Sequence, residues 1–121
     1  MSVSDGYLDF IKDLLSDFGP VTARRMFGGA GLYEGGVMFG LIIDDVLYLK
    51  ADETFAKKFA AEDMAPFAYS AAGRRVSTSY WRVPERLLED RDELGNWAQQ
   101  ARQVALAAAG KSQRTGRRAA P

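Results

Sequence analysis

Residues 23–49 read Ala23-Arg24-Arg25-Met26-Phe27-Gly28-Gly29-Ala30-Gly31-Leu32-Tyr33-Glu34-Gly35-Gly36-Val37-Met38-Phe39-Gly40-Leu41-Ile42-Ile43-Asp44-Asp45-Val46-Leu47-Tyr48-Leu49. Aliphatic, aromatic and β-branched runs alternate here with Gly and Asp clusters, the pattern of strands joined by tight hairpins. Three strands are predicted, at 23–33, 37–43 and 46–49. A two-residue turn at Asp44-Asp45 pairs Ile43 with Val46. It sets Val37, Phe39, Leu41, Ile43, Val46 and Tyr48 on one face of the sheet and Met38, Ile42, Leu47 and Leu49 on the other. Both faces are then largely apolar, whereas an antiparallel sheet with one wet face alternates with polar residues. Either helices cover both sides, or one side or edge meets a second subunit.

Within that stretch Gly28-Gly29-Ala30-Gly31 invites comparison with a phosphate loop, because Gly-rich turns let backbone N–H groups approach a pyrophosphate. Such a loop must open a helix. Here Leu32-Tyr33 continues a strand and no Gly-Lys-Ser/Thr follows, so the glycines are read as a β-bulge or a place where another backbone packs closely.

Working outward, Ser2 or Ser4 can cap a first helix. In it Tyr7, Leu8, Ile11, Leu14, Leu15 and Phe18 recur at helical spacing, and Gly19-Pro20 end it. Asp52 caps a second helix that carries Phe55 and Phe59 and ends near Met64. Residues 66–71 and 75–83 form a second hairpin, turning at Ala72-Gly73-Arg74, with Val76, Thr78 and Tyr80 on one face and Ser77, Ser79 and Trp81 on the other. After Pro84 comes a helical turn. Asp90 or Asp92 then starts a last helix, with a stripe of Leu94, Trp97, Ala98, Ala101, Val104, Ala105 and Ala108 that ends at Gly110. Residues 111–121 are basic and polar with nothing to bury, and are expected to be disordered. The order α-β-β-β-α-β-β-α suits one α+β domain over residues 1–110, with helices packed on a largely antiparallel sheet.

Composition narrows the chemistry. The chain has no Cys and no His, which excludes thiol and imidazole catalysis, disulfides and Cys/His zinc sites. Net charge is zero, but residues 1–110 hold 12 Lys/Arg against 16 Asp/Glu, while residues 111–121 hold four basic residues and no acidic one. No apolar run approaches the ~20 residues that span a bilayer, and a cytoplasmic location is expected.

The motifs Ala23-Arg24-Arg25-Met26-Phe27-Gly28-Gly29-Ala30-Gly31-Leu32-Tyr33, Met38-Phe39-Gly40-Leu41-Ile42, Leu47-Tyr48-Leu49-Lys50, Pro66-Phe67-Ala68-Tyr69 and Ser79-Tyr80-Trp81, in that order, resemble the N-terminal domain family of TfoX-type (Sxy) bacterial competence regulators over roughly residues 5–109. The resemblance implies an α+β fold with a five-stranded antiparallel sheet. It also implies a cytoplasmic regulatory role without enzymatic activity, in which longer relatives assist a cyclic-AMP receptor protein at promoters of DNA-uptake genes. Those relatives carry a second helical domain where this chain has its short basic tail. The family supplies no catalytic residues.

Candidate active groups are sparse. Asp44-Asp45 sit in a turn and point apart, and Asp90, Asp92 and Glu93 suit a helix start. Ser77 and Ser79 have no histidine to act as base. An enzyme is not expected, nor a cofactor or metal. Two readings remain. The preferred one is a regulatory protein-interaction domain, a transcriptional co-regulator and homodimer, using the apolar meander and the aromatic cluster Phe27, Tyr33, Tyr69, Tyr80 and Trp81. The alternative is direct, weak nucleic-acid binding, with Arg24, Arg25, Arg74, Arg75 and Arg82 on phosphates, Tyr80 and Trp81 on bases, and help from the basic tail. Against it, paired arginines at strand starts and turns are commonly solvated, Trp81 next to Pro84 suits a core, and the body is net acidic. The surface common to both readings is Arg24, Arg25, Phe27, Arg74, Arg75, Tyr80, Trp81 and Arg82.

Overall fold

The computed structural model describes residues 3–26 and 28–118, with backbone alone for 111–118. Helix α1 (Asp5–Leu14) starts at Ser4, whose hydroxyl accepts from the Tyr7 N–H at 3.1 Å. Strands β1 (Thr22–Met26), β2 (Gly29–Glu34), β3 (Val37–Ile43) and β4 (Val46–Lys50) follow, then α2 (Glu53–Ala60), β5 (Pro66–Ala71) and β6 (Arg74–Arg82). A 3-10 turn (Glu85–Glu89) leads to α3 (Arg91–Arg118). The sheet is antiparallel throughout, in the order β1-β2-β3-β4-β6-β5.

The α+β class and the antiparallel sheet agree with the expectation, but there are six strands rather than five. The stretch read as one strand over 23–33 folds back on itself: Met26 faces Gly29 and Arg25 faces Ala30 across a hairpin. Gly28, at φ +78°, takes the left-handed backbone the reversal needs. The glycines also explain why the hairpin can lie flat on β3. A Cβ on Gly29 would stand 2.3 Å from the Ile42 carbonyl oxygen, so the close backbone approach read from the sequence is present there.

The Asp44-Asp45 turn pairs Ile43 with Val46 as expected. Both aspartates have positive φ, 53° and 56°, as a two-residue type I′ hairpin requires. The alternation along β3 differs from the expected one. Leu32 faces Gly40 but Tyr33 faces Met38, so Phe39 is an extra, bulged residue. The bulge shifts the alternation by one. Phe39 turns in to meet Phe18 at 5.0 Å between ring centroids, and Met38 turns to the face of Leu41 instead of that of Ile42.

Among the described residues, all helices lie on one side of the sheet. Ile11, Leu14 and Leu15 of α1 and its C-terminal turn, Phe55 and Phe59 of α2, Leu87 of the 3-10 turn, and Leu94, Trp97, Ala98 and Ala101 of α3 form one cluster with Ala30, Leu32, Phe39, Ile42, Leu47 and Leu49. Trp97 is its centre, 4.9 Å from the Phe59 ring and 5.7 Å from Phe55. Burying four such rings supplies much of the hydrophobic drive, at about 25 cal/mol per Å² of apolar surface. Leu41 and Ile43 are also buried, but they belong to the opposite face and not to this cluster.

Helix α1 ends at Leu14, with Leu15 to Phe18 in a looser turn. Helix α3 does not stop at Gly110 but continues to Arg118. A helical glycine costs only about 1 kcal/mol relative to alanine, and the alanines at 107–109 offset it. The side chains from residue 111 onward, and residues 119–121, lie outside the described residues, and the expected disordered tail falls there. Among the described residues no helix is long and apolar enough to cross a membrane. The two edges differ: β1 carries Arg24 and Arg25, whereas β5, Pro66-Phe67-Ala68-Tyr69-Ser70-Ala71, carries no charge.

Candidate functional site

Strand register sets what stands on the helix-free face. Leu41 faces Tyr48 across the β3–β4 hairpin. Tyr48 in turn faces Arg82, and Lys50 faces Tyr80, across β4–β6. Arg24 pairs with Gly31, which pairs with Leu41. Directly opposed residues share a face, so Arg24, Leu41, Tyr48, Lys50, Tyr80 and Arg82 are all on the side away from the helices.

The face divides into two halves. Over β1–β3, Gly31 leaves room for two methionines: a Cβ there would stand 3.0 Å from both Met26 Cε and Met38 Cε. Beside them the Arg24 guanidinium lies 5.8 Å from the centre of the Tyr33 ring, a cation–π distance. Over β4, β6 and β5 the rings dominate. Tyr48 and Phe67 meet edge to face at 5.3 Å, reaching over β6, and Phe67 stacks on Tyr69 at 6.3 Å and 29°. Lys50 Nζ lies 5.2 Å from the Tyr80 ring and donates to Ser79 Oγ at 2.6 Å. Tyr69 is 46% exposed.

Electrostatics on this face are simple. Burial raises the Tyr80 hydroxyl above its ordinary pKa, and the nearby Tyr33 adds to the shift. Burial also raises Tyr48, with Arg82 pulling the other way and Asp44 reinforcing the rise. Both phenols are therefore neutral donors near neutral pH.

The sequence-derived surface is only partly brought together. Arg24, Tyr80 and Arg82 share the helix-free face, and Arg74, opposite Ala71 in the hairpin, has the alternation of Tyr69 and Phe67 and joins them. Arg25 points the other way, donating to the Val3 carbonyl at 3.1 Å and ion-pairing with Asp5. Arg75 alternates with Arg74 and is exposed. Trp81 faces the helices, 6.1 Å from the Phe59 ring. Phe27 lies outside the described residues. Missed were Lys50, Met26, Met38, Tyr48 and Phe67. The signal was there in Tyr48-x-Lys50 and Phe67-x-Tyr69, because residues two apart on a strand share a face.

Three of the carboxylates weighed as catalysts, Asp45, Asp90 and Glu93, have structural partners. Asp45 accepts from the Ser4 N–H at 2.8 Å and hydroxyl at 3.1 Å. Asp90 accepts from the Glu93 N–H at 3.1 Å, a helix cap. Glu93 and Glu62 both accept from Arg86.

Against known families, the profile of the TfoX N-terminal domain matches residues 13–105. The chain belongs to the TfoX N-terminal domain family. It is also similar to Protein Sxy of Escherichia coli strain K12, 30% identical over 76 residues, which is 63% of this chain and 36% of that protein. The chain thus corresponds to about a third of the length of that curated relative. The family match runs from the last turn of α1 through the sheet and into α3 as far as Ala105.

Proposed function

We propose that this TfoX N-terminal domain is a non-enzymatic regulatory module that works by association, as a cytoplasmic transcriptional co-regulator. The observation that supports this most is the bare sheet face. Met26, Met38 and Tyr33 stand half-buried around Leu41 with no helix over them. Methionine is flexible and polarisable, and adapts to a partner's shape. The resemblance to competence regulators makes a transcription factor such as a cyclic-AMP receptor protein the partner to try on this half. A second copy of the chain adds at the uncharged β5 edge, where unpaired backbone groups are free of the charges that blunt β1.

Two measurements test it on the full chain. Light scattering is expected to give twice the 13.3 kDa chain mass, and the monomer mass for Ser70→Lys. Calorimetric titration against purified cyclic-AMP receptor protein is expected to show binding that Met38→Glu weakens at least tenfold, as burying an unpaired charge does. A monomer at all concentrations, with no heat of binding to the receptor, overturns the proposal.

A further inference from the structure

Charge in this molecule is sorted by layer. Of the chain's 16 carboxylates, the described strands hold only Glu34, which is ion-paired with Arg102 of α3 on the helical side. The same strands hold six cations: Arg24, Arg25, Lys50, Arg74, Arg75 and Arg82. The fifteen other carboxylates belong to helices, caps and turns. A body that is acidic by count therefore presents a cationic sheet.

The concentration is greatest over β4, β6 and β5. Lys50 stands there against the Tyr80 ring, and the register sets Arg82 opposite Tyr48 and Arg74 opposite Ala71, on the face of Phe67 and Tyr69. Arg74 and Arg82 are exposed and enter no ion pair among the described residues. By contrast Arg25, Arg86, Arg91 and Arg102 each have a carboxylate partner.

We propose that the β4-β6-β5 half of the helix-free face binds single-stranded DNA, with the rings stacking on bases and Lys50, Arg74 and Arg82 contacting phosphates. This rests on the reading of the helix-free face as the binding surface and assigns an occupant to its second half. Aromatic rings interleaved with cations on a sheet are the arrangement that holds a single strand, whose bases are free to stack. A duplex keeps its base faces covered. A second copy would set like charges against each other. An acidic peptide satisfies the cations and leaves the flat rings without planar partners. DNA is favoured over RNA because the aliphatic hydroxyls nearest the rings are engaged. Thr78 Oγ1 donates to the Phe67 carbonyl at 2.9 Å and accepts from the Tyr80 N–H at 3.1 Å, and Ser79 Oγ accepts from Lys50. Thr78 thus has no proton left to donate to a 2′-hydroxyl, and Ser79 has one lone pair already taken by the Lys50 ammonium.

The test is fluorescence anisotropy of the full chain with a labelled oligothymidine of about 15 nucleotides, the upper range for a single-strand-binding domain, across a salt series. Tyr69→Ala is expected to weaken binding about fivefold or more. Arg74→Ala and Arg82→Ala should each make the log–log salt slope shallower by about 0.7. Lys12→Ala with Lys57→Ala, on the helical layer, should change nothing, and circular dichroism should show every variant folded. The inference is overturned if the wild-type chain does not bind at low salt. It is equally overturned if a duplex binds as tightly, if oligouridine binds and oligothymidine does not, or if binding survives in the sheet variants and vanishes when Lys111, Arg114, Arg117 and Arg118 become Gln. Receptor docking is read separately at Met38, so loss of this inference with docking intact leaves the proposed function standing.

Discussion

Gly29 is the residue on which the β1–β2 hairpin depends. Its backbone needs no special dihedral, yet the Ile42 carbonyl occupies the place of a side chain, 2.3 Å from where a Cβ would be. Gly29→Ala should destabilise the fold by about 2–3 kcal/mol, since the neighbour is backbone and cannot swing aside. Gly95, in α3, is the opposite case, with nothing within 4 Å of its missing Cβ. Gly95→Ala should stabilise by about 0.5–1 kcal/mol through helix propensity alone. Urea denaturation of both variants against wild type checks the pair, and equal signs would contradict the packing described. In the sequence the two glycines look alike. Only the register of β2 against β3 tells them apart, and that register is a long-range fact.

At the scale of elements, most boundaries were legible because local chemistry sets them: Ser4 and Asp52 as caps, Asp44-Asp45 as a turn, Phe55 and Phe59 as a buried helical pair. Two features escaped. Between Arg25 and Tyr33 the 23–33 run contains no polar side chain, so its reversal at Gly28 is marked only by glycines that also suit a bulge. The Phe39 bulge leaves no local sign at all, and it moved Met38 to the candidate surface. The joints between elements were likewise invisible. Arg86 of the 3-10 turn grips Glu62 after α2 at 2.8 and 2.6 Å and Glu93 of α3 at 2.8 and 2.9 Å. These hydrogen bonds lower the pKa of both carboxyls and raise that of Arg86. A carboxyl with a lowered folded pKa stabilises the fold above its unfolded value, and this is lost as pH falls through the folded one. Wild type should therefore melt higher than Arg86→Gln at pH 7. The gap should close as pH drops below the ordinary glutamate value of ~4.3. Differential scanning calorimetry across pH reads it, and a gap that is flat with pH would mean the grip contributes nothing.

For the whole molecule, composition is silent where the topology is informative. Zero net charge and an acidic body argued against a polyanion partner, because a sum over residues cannot show that cations went to strands and carboxylates to helices. Two double variants of identical net charge should therefore behave differently on a sulfonate cation-exchange column. Arg74→Ala with Arg82→Ala should elute at clearly lower salt than Lys12→Ala with Lys57→Ala. Coincident elution would show that the chain's field is uniform.

The inequality of the two sheet edges bears on how far any assembly can grow. A sheet with two adhesive edges is a monomer in the chemist's sense of a bifunctional unit, and it polymerises. Here β1 ends the sheet in a pair of arginines while β5 ends it without charge. In the proposed dimer, pairing of β5 with β5 around a two-fold axis would consume the single reactive edge on each chain. Such a product would be terminated at both ends by arginines, so growth would stop at two, and scattering at rising concentration should plateau there without a filament phase.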